Sequence, residues 1–429
     1  MKFIRHISIY TFVSFFGAGI NFFLMPYLSH FIEPAEYGIL SILNSYITIL
    51  IPLLGLVASG LITVEYYRIK DKKEFASLFS SIQVIPLIPA VFFLIITLFF
   101  SKSITRFLEI PEEKSFWLSI SIALGVFTIY FETLTMYNII EKKPFQYAIF
   151  TTLKILIEVS LTIWFVSGLH LGWEGRMWAW VISTAVLGII AFCYFKKQLI
   201  FPASISLKYI MAGITFGLPL IMHTIGKFVI NQSNRIFIAK MVSIEQAGIY
   251  NIGAQVGIVI LLVASSVGNF YQPFLYERLA NPTPRAQDQI VKFNYAVIIG
   301  LFICLILMTL FTPLFFDLFI SKKYQKATTY VFWVGLGYFF WGIYLLYTGV
   351  IFYYKKTNFL GIVALFNVLI SILLNFVLIK SFGALGAAYA SCISYFIVAF
   401  FVTWKANALS KLNGVNIMKI STSGLWRRN

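Results

Sequence analysis

Four polar side chains stand out by position and spacing. His223, Lys227, Asn231 and Arg235 recur every four residues within one apolar run. On a helix that spacing places all four on one face. A cation deep in hydrocarbon costs about 2.5–3.5 kcal/mol on insertion scales, so such residues usually face a cavity or a partner. The chemistry on offer is binding, because a cationic stripe offsets the charge of an anionic substrate. A blander reading exists for two of them: His223 as a hydrogen bonder between helices, and Arg235 as a side chain reaching for the interface. A second set lies further up the chain. Lys154 and Glu158 are four apart in another apolar run. Either they neutralise each other, or Lys154 contacts substrate while Glu158 tunes or releases it. Glu132 is a further deep acid, able to pair with Lys154 or to carry a proton.

Covalent and metal chemistry find no support. Cys193, Cys304 and Cys392 fall in apolar runs and are expected to be small buried hydrophobes. No His/Cys/Asp group has metal-ligand spacing and no nucleophile elbow occurs. The expectation is a protein that is not an enzyme and uses no cofactor or metal.

The elements that must position these residues follow from composition. Of 429 residues, 60% are hydrophobic and 11% charged, against roughly 25% charged in soluble proteins. That excludes a soluble enzyme, a disordered chain and a disulfide-stapled module. Apolar runs long enough to cross a bilayer number twelve: 7–29, 39–64, 76–100, 116–139, 145–167, 175–195, 211–239, 246–273, 291–316, 328–353, 359–380 and 384–404. Trp117, Trp164, Trp173 and Trp404 lie near run ends and are expected as interface anchors. The formal charge of +17 is unevenly spread. With edge residues assigned to the nearer face, 21 of the 33 Lys and Arg fall on the side holding both termini and nine on the other. The positive-inside rule puts both termini in the cytoplasm. A nucleic-acid footprint is not expected, since no soluble stretch is long enough to carry one.

The chain also repeats itself. Gly38-Ile39 recurs as Gly248-Ile249, and Asn21 as Asn231, both 210 residues on. Gly175, Ala179, Ile182 and Ser183 recur 211 residues on as Gly386, Ala390, Ile393 and Ser394. Six spans per half is an even number, so the halves run in the same direction. The expected fold is an all-α polytopic membrane protein with twelve transmembrane helices in two parallel-repeat six-helix bundles around a central cleft. The expected divisions are an N-terminal bundle (1–205), a C-terminal bundle (206–404) and a basic cytoplasmic tail (405–429).

Three motifs carry a resemblance. The first is Pro26 with Phe31-Ile32-Glu33-Pro34-Ala35-Glu36-Tyr37-Gly38. The second is Phe216-Gly217-Leu218-Pro219-Leu220, followed by Asn234-Arg235 and Ala247-Gly248-Ile249-Tyr250. The third is Gly383-Ala384-Leu385-Gly386-Ala387-Ala388. In this order the chain resembles the Wzx-type polysaccharide flippases of the multidrug/oligosaccharidyl-lipid/polysaccharide (MOP) superfamily, which share a MATE-like fold. It departs from them at Asn234-Arg235, where the family often has Asp-Arg. The resemblance implies a flippase that moves undecaprenyl-diphosphate-linked oligosaccharide repeat units from the cytoplasmic to the periplasmic leaflet by alternating access. The setting would be O-antigen, capsule or exopolysaccharide synthesis at the bacterial cytoplasmic (inner) membrane, with a polysaccharide polymerase and chain-length regulator as partners. The substrate-binding candidates are then Lys227, Arg235, Lys154, Asn231, Asn21 and His223, with Glu158 and Glu132 for coupling or charge balance. Rivals are a cation-coupled multidrug antiporter of the same superfamily, a lipid II flippase and a glycan-transferring membrane enzyme. Antiporters commonly rely on an acid in the first span, and residues 7–29 contain no Asp or Glu. Lipid II flippases usually carry extra spans. Membrane glycan enzymes usually carry a large external loop, and the longest loops here are about 15 residues.

Overall fold

The computed structural model describes residues 2–281 and 283–410, and among them there is no strand. The helices are α1 (Lys2–Phe31), α2 (Pro34–Gly55), α3 (Ser59–Glu65), α4 (Lys72–Val84), α5 (Leu87–Leu108), α6 (Phe116–Ile140) and α7 (Pro144–Ile163). They continue as α8 (Gly172–Lys197), α9 (Leu207–Met241), α10 (Ile244–Ala280), α11 (Pro284–Phe319), α12 (Thr328–Tyr353), α13 (Thr357–Phe382) and α14 (Ala384–Ser410). Each of the twelve apolar runs lies on this helical path. Among the described residues, ten stretches are long and apolar enough to cross a membrane. The other two runs fall on α1 and α9, of 30 and 35 residues. The protein is therefore a multi-pass membrane protein.

Two runs are not single helices. The third breaks between α4 and α5, at Ile85-Pro86, because proline lacks the N–H that a continuing helix needs. The second breaks after Gly55, where Leu56 and Val57 adopt φ of 47° and 51°. Side-chain-bearing residues seldom occupy that left-handed region. The strain is held by a close neighbour: a Cβ on Gly217 of α9 would lie 1.8 Å from the Leu56 carbonyl oxygen. Only glycine lets the two backbones meet there.

By compactness the described residues form two units, 2–252 with 315–327, and 253–314 with 328–410. This division falls within α10; the boundary expected from the repeat, 205/206, concerns sequence rather than contacts. The tail from 411 onward lies outside the described residues. Within the first unit the repeated Gly-Ile pairs meet. A Cβ on Gly38 would sit 2.0 Å from the Ile244 carbonyl oxygen, and one on Gly248 would sit 2.0 Å from that of Pro34. The contact maps onto itself under a shift of 210 residues. The helix starts there match too. The Glu36 carboxylate accepts from the Glu33 N–H at 3.3 Å, and Ser243 Oγ accepts from the Gln246 N–H at 3.1 Å. Both satisfy backbone donors that a helix start leaves unpaired. In the second unit α14 packs on α12 and α13, burying Ala387, Ala388 and Ala390.

The core is apolar, but large apolar side chains are exposed as well, as lipid contact requires. On α5, Ile88, Val91, Phe92, Leu98 and Phe99 are exposed. Two expectations are corrected here. Trp117 and Trp173 are not interface anchors: both are buried, and Trp117 packs on Trp173 and Trp178 with ring centroids 5.7 and 5.0 Å apart. Trp164 and Trp404 are exposed. Cys193 is exposed rather than buried, Cys304 is half-buried and Cys392 buried. An apolar run fixes depth in the membrane but not which face meets lipid.

Candidate substrate-binding site

Two cations of the first unit converge on one carboxylate. Glu158 on α7 is buried, and its Oε2 accepts from Lys154 Nζ at 2.7 Å. Its Oε1 takes a second cation, Arg176 of α8, at 2.6 Å. Arg176 also donates to Thr162 Oγ1 at 3.0 Å, whose hydroxyl in turn donates to the Glu158 carbonyl at 2.6 Å. Lys154 lies over the Phe131 ring, 5.7 Å from its centroid. The Lys154–Glu158 pair was legible from spacing, but Arg176 was not. It lies in the second turn of α8, at the edge of its run, and reads there as an interface residue. The cluster is thus two cations around one anion, with net charge +1. The three side chains are only 11–17% exposed, which keeps their mutual interaction from being screened by water.

Glu132 lies on α6 and is exposed. Lys154 makes its ion pair with Glu158, not with Glu132. Glu132 is still within electrostatic reach of Lys154.

The first helix is held alongside this cluster. Tyr10 meets the Tyr147 ring at 5.0 Å, a Cβ on Gly17 would lie 2.9 Å from Ile155 Cδ1, and Tyr27 Oη donates to Ser167 Oγ at 2.6 Å. These contacts advance together along both helices, so α1 and α7 run parallel with an offset of about 138 residues. Three crossings lie between them, as the span count requires. The offset sets Asn21 about one residue from the level of Glu158. Its amide donates to the Gly17 carbonyl at 3.1 Å, and the residue is exposed.

On α9, Arg235 is half-buried and donates to Asn251 Oδ1 at 2.7 Å and to Gln232 Oε1 at 2.5 Å. Its neighbour Asn234 donates to Tyr250 Oη at 3.0 Å. Where an Asp-Arg pair was expected from the resemblance, amides and a phenol supply these contacts. Arg235 is therefore bound into the helix start of α10 rather than only reaching for the interface. The backbone of 223–231 is helical, but the side chains of His223, Lys227 and Asn231 lie outside the described residues. Among the described residues no group of His, Cys, Asp or Glu has metal-site geometry.

A family model described as "Polysaccharide biosynthesis protein" matches residues 3–271. The chain belongs to the polysaccharide biosynthesis protein family. The matched part contains α1 to α9, the Lys154–Glu158–Arg176 cluster and Arg235. The chain is 22% identical to an "Uncharacterized membrane protein" of Haemophilus influenzae over 292 residues, 67% of this chain and 69% of the relative. Two solved structures share its fold. One is an inward-facing multidrug resistance MATE family transporter of the MOP superfamily, with TM-score 0.67, 14% identity, and coverage of 92% of this chain and 95% of the other. The other is the lipid II flippase MurJ in an inward closed conformation, with TM-score 0.64, 16% identity, and coverage of 96% and 93%. This family member accordingly has the MOP fold.

Proposed function

We propose that the protein is a flippase for lipid-linked oligosaccharides. It carries undecaprenyl-diphosphate-linked repeat units from the cytoplasmic to the outer leaflet of a bacterial cytoplasmic membrane, with both termini cytoplasmic and no bond made or broken. The observation that carries this reading is the buried cluster of Lys154, Glu158 and Arg176, in a chain of the polysaccharide biosynthesis family. A diphosphate cannot cross about 30 Å of hydrocarbon unaided. Two cations already desolvated by protein and sharing one carboxylate can exchange that carboxylate for phosphate oxygens. Arginine is suited to this exchange because its planar fork binds phosphate bidentately. Lys227 and Arg235 on α9, with Asn231, Asn21 and His223, are assigned to the same path through the membrane. Glu132 and Glu158 balance charge along it. Alternating access within the two six-span halves would expose this path to one leaflet at a time.

Binding tests this directly. Undecaprenyl-diphosphate oligosaccharide is titrated into the purified protein, with undecaprenyl monophosphate as the comparison. The diphosphate binds the wild type more tightly, and Arg176→Ala weakens it about tenfold or more, the value of one charge-assisted contact. Equal affinity of wild type and variant removes the cluster from the binding site. Tight binding of an organic cation with none of the lipid favours the antiporter.

A further inference from the structure

The break in the third span opens a cavity of about 340 Å3 in the first unit, within the size range of small-molecule sites. Leu87, Phe127, Tyr130, Ile189, Phe192 and Phe201 line it. One lining residue does not suit an apolar slot. Gln83, three residues before Pro86, is 3% exposed, and neither its Oε1 nor its Nε2 has a hydrogen-bond partner. A buried amide in apolar surroundings asks for one.

Depth identifies what could supply it. Ser80 Oγ donates to the Ile200 carbonyl at 3.1 Å and accepts from the Ala203 N–H at 2.9 Å. The segment that follows the lysines closing α8 is therefore level with Ser80. Gln83 is three residues further into the membrane, about 4.5 Å along the helix. From there the slot reaches Gly188, nine residues before Lys197 and about 13 Å along α8. Its mouth faces lipid, since Leu87, Ile189 and Phe192 are all exposed. On α8, Ile189, Phe192 and Lys196 form one stripe at i, i+3 and i+7, and Lys196 and Lys197 are both exposed.

We propose that this slot holds one acyl chain of an anionic glycerophospholipid from the leaflet at the basic end. Its ester carbonyl accepts from Gln83 Nε2, and its phosphate lies against Lys196 and Lys197. The amide separates this ligand from the tail of a polyprenyl carrier, which has no heteroatom short of its phosphate to offer at that depth. The lysines separate it from zwitterionic lipid, whose net charge is zero. The site is distinct from the Lys154–Glu158–Arg176 cluster, and it stands whether or not the protein is a flippase.

The test is native mass spectrometry of the purified full chain with four probes: diester phosphatidylglycerol, its diether analogue, diester phosphatidylcholine and undecaprenyl phosphate. The wild type retains one diester phosphatidylglycerol about fivefold more than the diether analogue, as one hydrogen bond of ordinary strength predicts. It also prefers phosphatidylglycerol to phosphatidylcholine. Gln83→Leu abolishes the ester preference and keeps the charge preference, and Lys196→Ala with Lys197→Ala does the reverse. A folding defect would lower all four together and would not separate the two preferences. Equal retention of diester and diether lipid by the wild type overturns the proposal, as does displacement of phosphatidylglycerol by undecaprenyl phosphate.

Discussion

Replacing Glu158 by Gln removes the one anion that holds two buried cations together. The carboxylate oxygens lie 2.6 and 2.7 Å from the nitrogens of Arg176 and Lys154. With each cation on a different oxygen, their nitrogens are within about 7.5 Å of each other. At an effective dielectric of about 20 that leaves a repulsion of roughly 2 kcal/mol, while each lost attraction is worth about 4 kcal/mol at a 4 Å charge spacing. Relaxation and entering water recover part of this. Removing one partner of a buried ion pair typically costs about 3–5 kcal/mol, and that is the expected loss for Glu158→Gln. The same variant raises the cluster's charge from +1 to +2, so it becomes a better anion site. Thermal denaturation in detergent, with and without undecaprenyl diphosphate, reads both effects. The variant melts several degrees below wild type, and saturating ligand returns more stability to it than to wild type, because phosphate oxygens replace the lost carboxylate. A variant as stable as wild type would refute the ion-pair reasoning. A destabilised variant that gains no more from the ligand than wild type would separate the cluster from diphosphate binding.

Three other outcomes follow from the geometry. Gly38→Ala places a Cβ 2.0 Å from the Ile244 carbonyl oxygen and costs about 1–3 kcal/mol as overpacking; Gly248→Ala costs a similar amount, and chemical denaturation of each variant checks it. Tyr324→Phe removes the hydroxyl that donates to the Ile32 carbonyl at 2.9 Å, where Tyr324 is fully buried; the expected cost is about 1–2 kcal/mol, and an unchanged melting temperature would contradict it. Lys143, in the turn between α6 and α7, hydrogen-bonds the Glu141 carboxylate and is held above the ordinary lysine range, chiefly by that bond; its contribution to stability is complete below the ordinary lysine pKa and is lost as pH rises through the raised one, so Glu141→Gln shifts the Lys143 titration downward in NMR of 13C-labelled lysine.

The sequence made the architecture readable because lipid demands long apolar runs, and twelve such runs all lie on helices. The breaks inside two of them were less visible. Pro86 marks one, but Leu56 and Val57 carry no local signal, since their conformation depends on Gly217 about 160 residues away. Motif glycines were easier to notice than to explain: Gly38 and Gly248 are recognisable as a repeat, and their role becomes clear only when each proves to face a backbone carbonyl. In the candidate site, Lys154 and Glu158 share one helix face, so spacing suffices to pair them. Arg176 reaches the same carboxylate from the next helix, and no periodicity reports a contact between helices. A pointer was available in its position, an arginine as the second residue of an apolar run that begins beside Glu174. Asn234-Arg235 likewise departs from the expected Asp-Arg, and the partners Asn251, Gln232 and Tyr250 were not deducible from that dipeptide.

The sidedness of a lipid-linked oligosaccharide in proteoliposomes tests the proposed transfer across the bilayer most directly. A fluorescent undecaprenyl-diphosphate oligosaccharide is reconstituted with wild type, Arg176→Ala and Lys227→Ala, and the outer-leaflet fraction is followed by an impermeant quencher. The account predicts transfer by wild type well above protein-free vesicles, with a tenfold or greater fall in Arg176→Ala and a clear fall in Lys227→Ala. Wild-type vesicles no faster than protein-free ones, with a matched glycan, would contradict it.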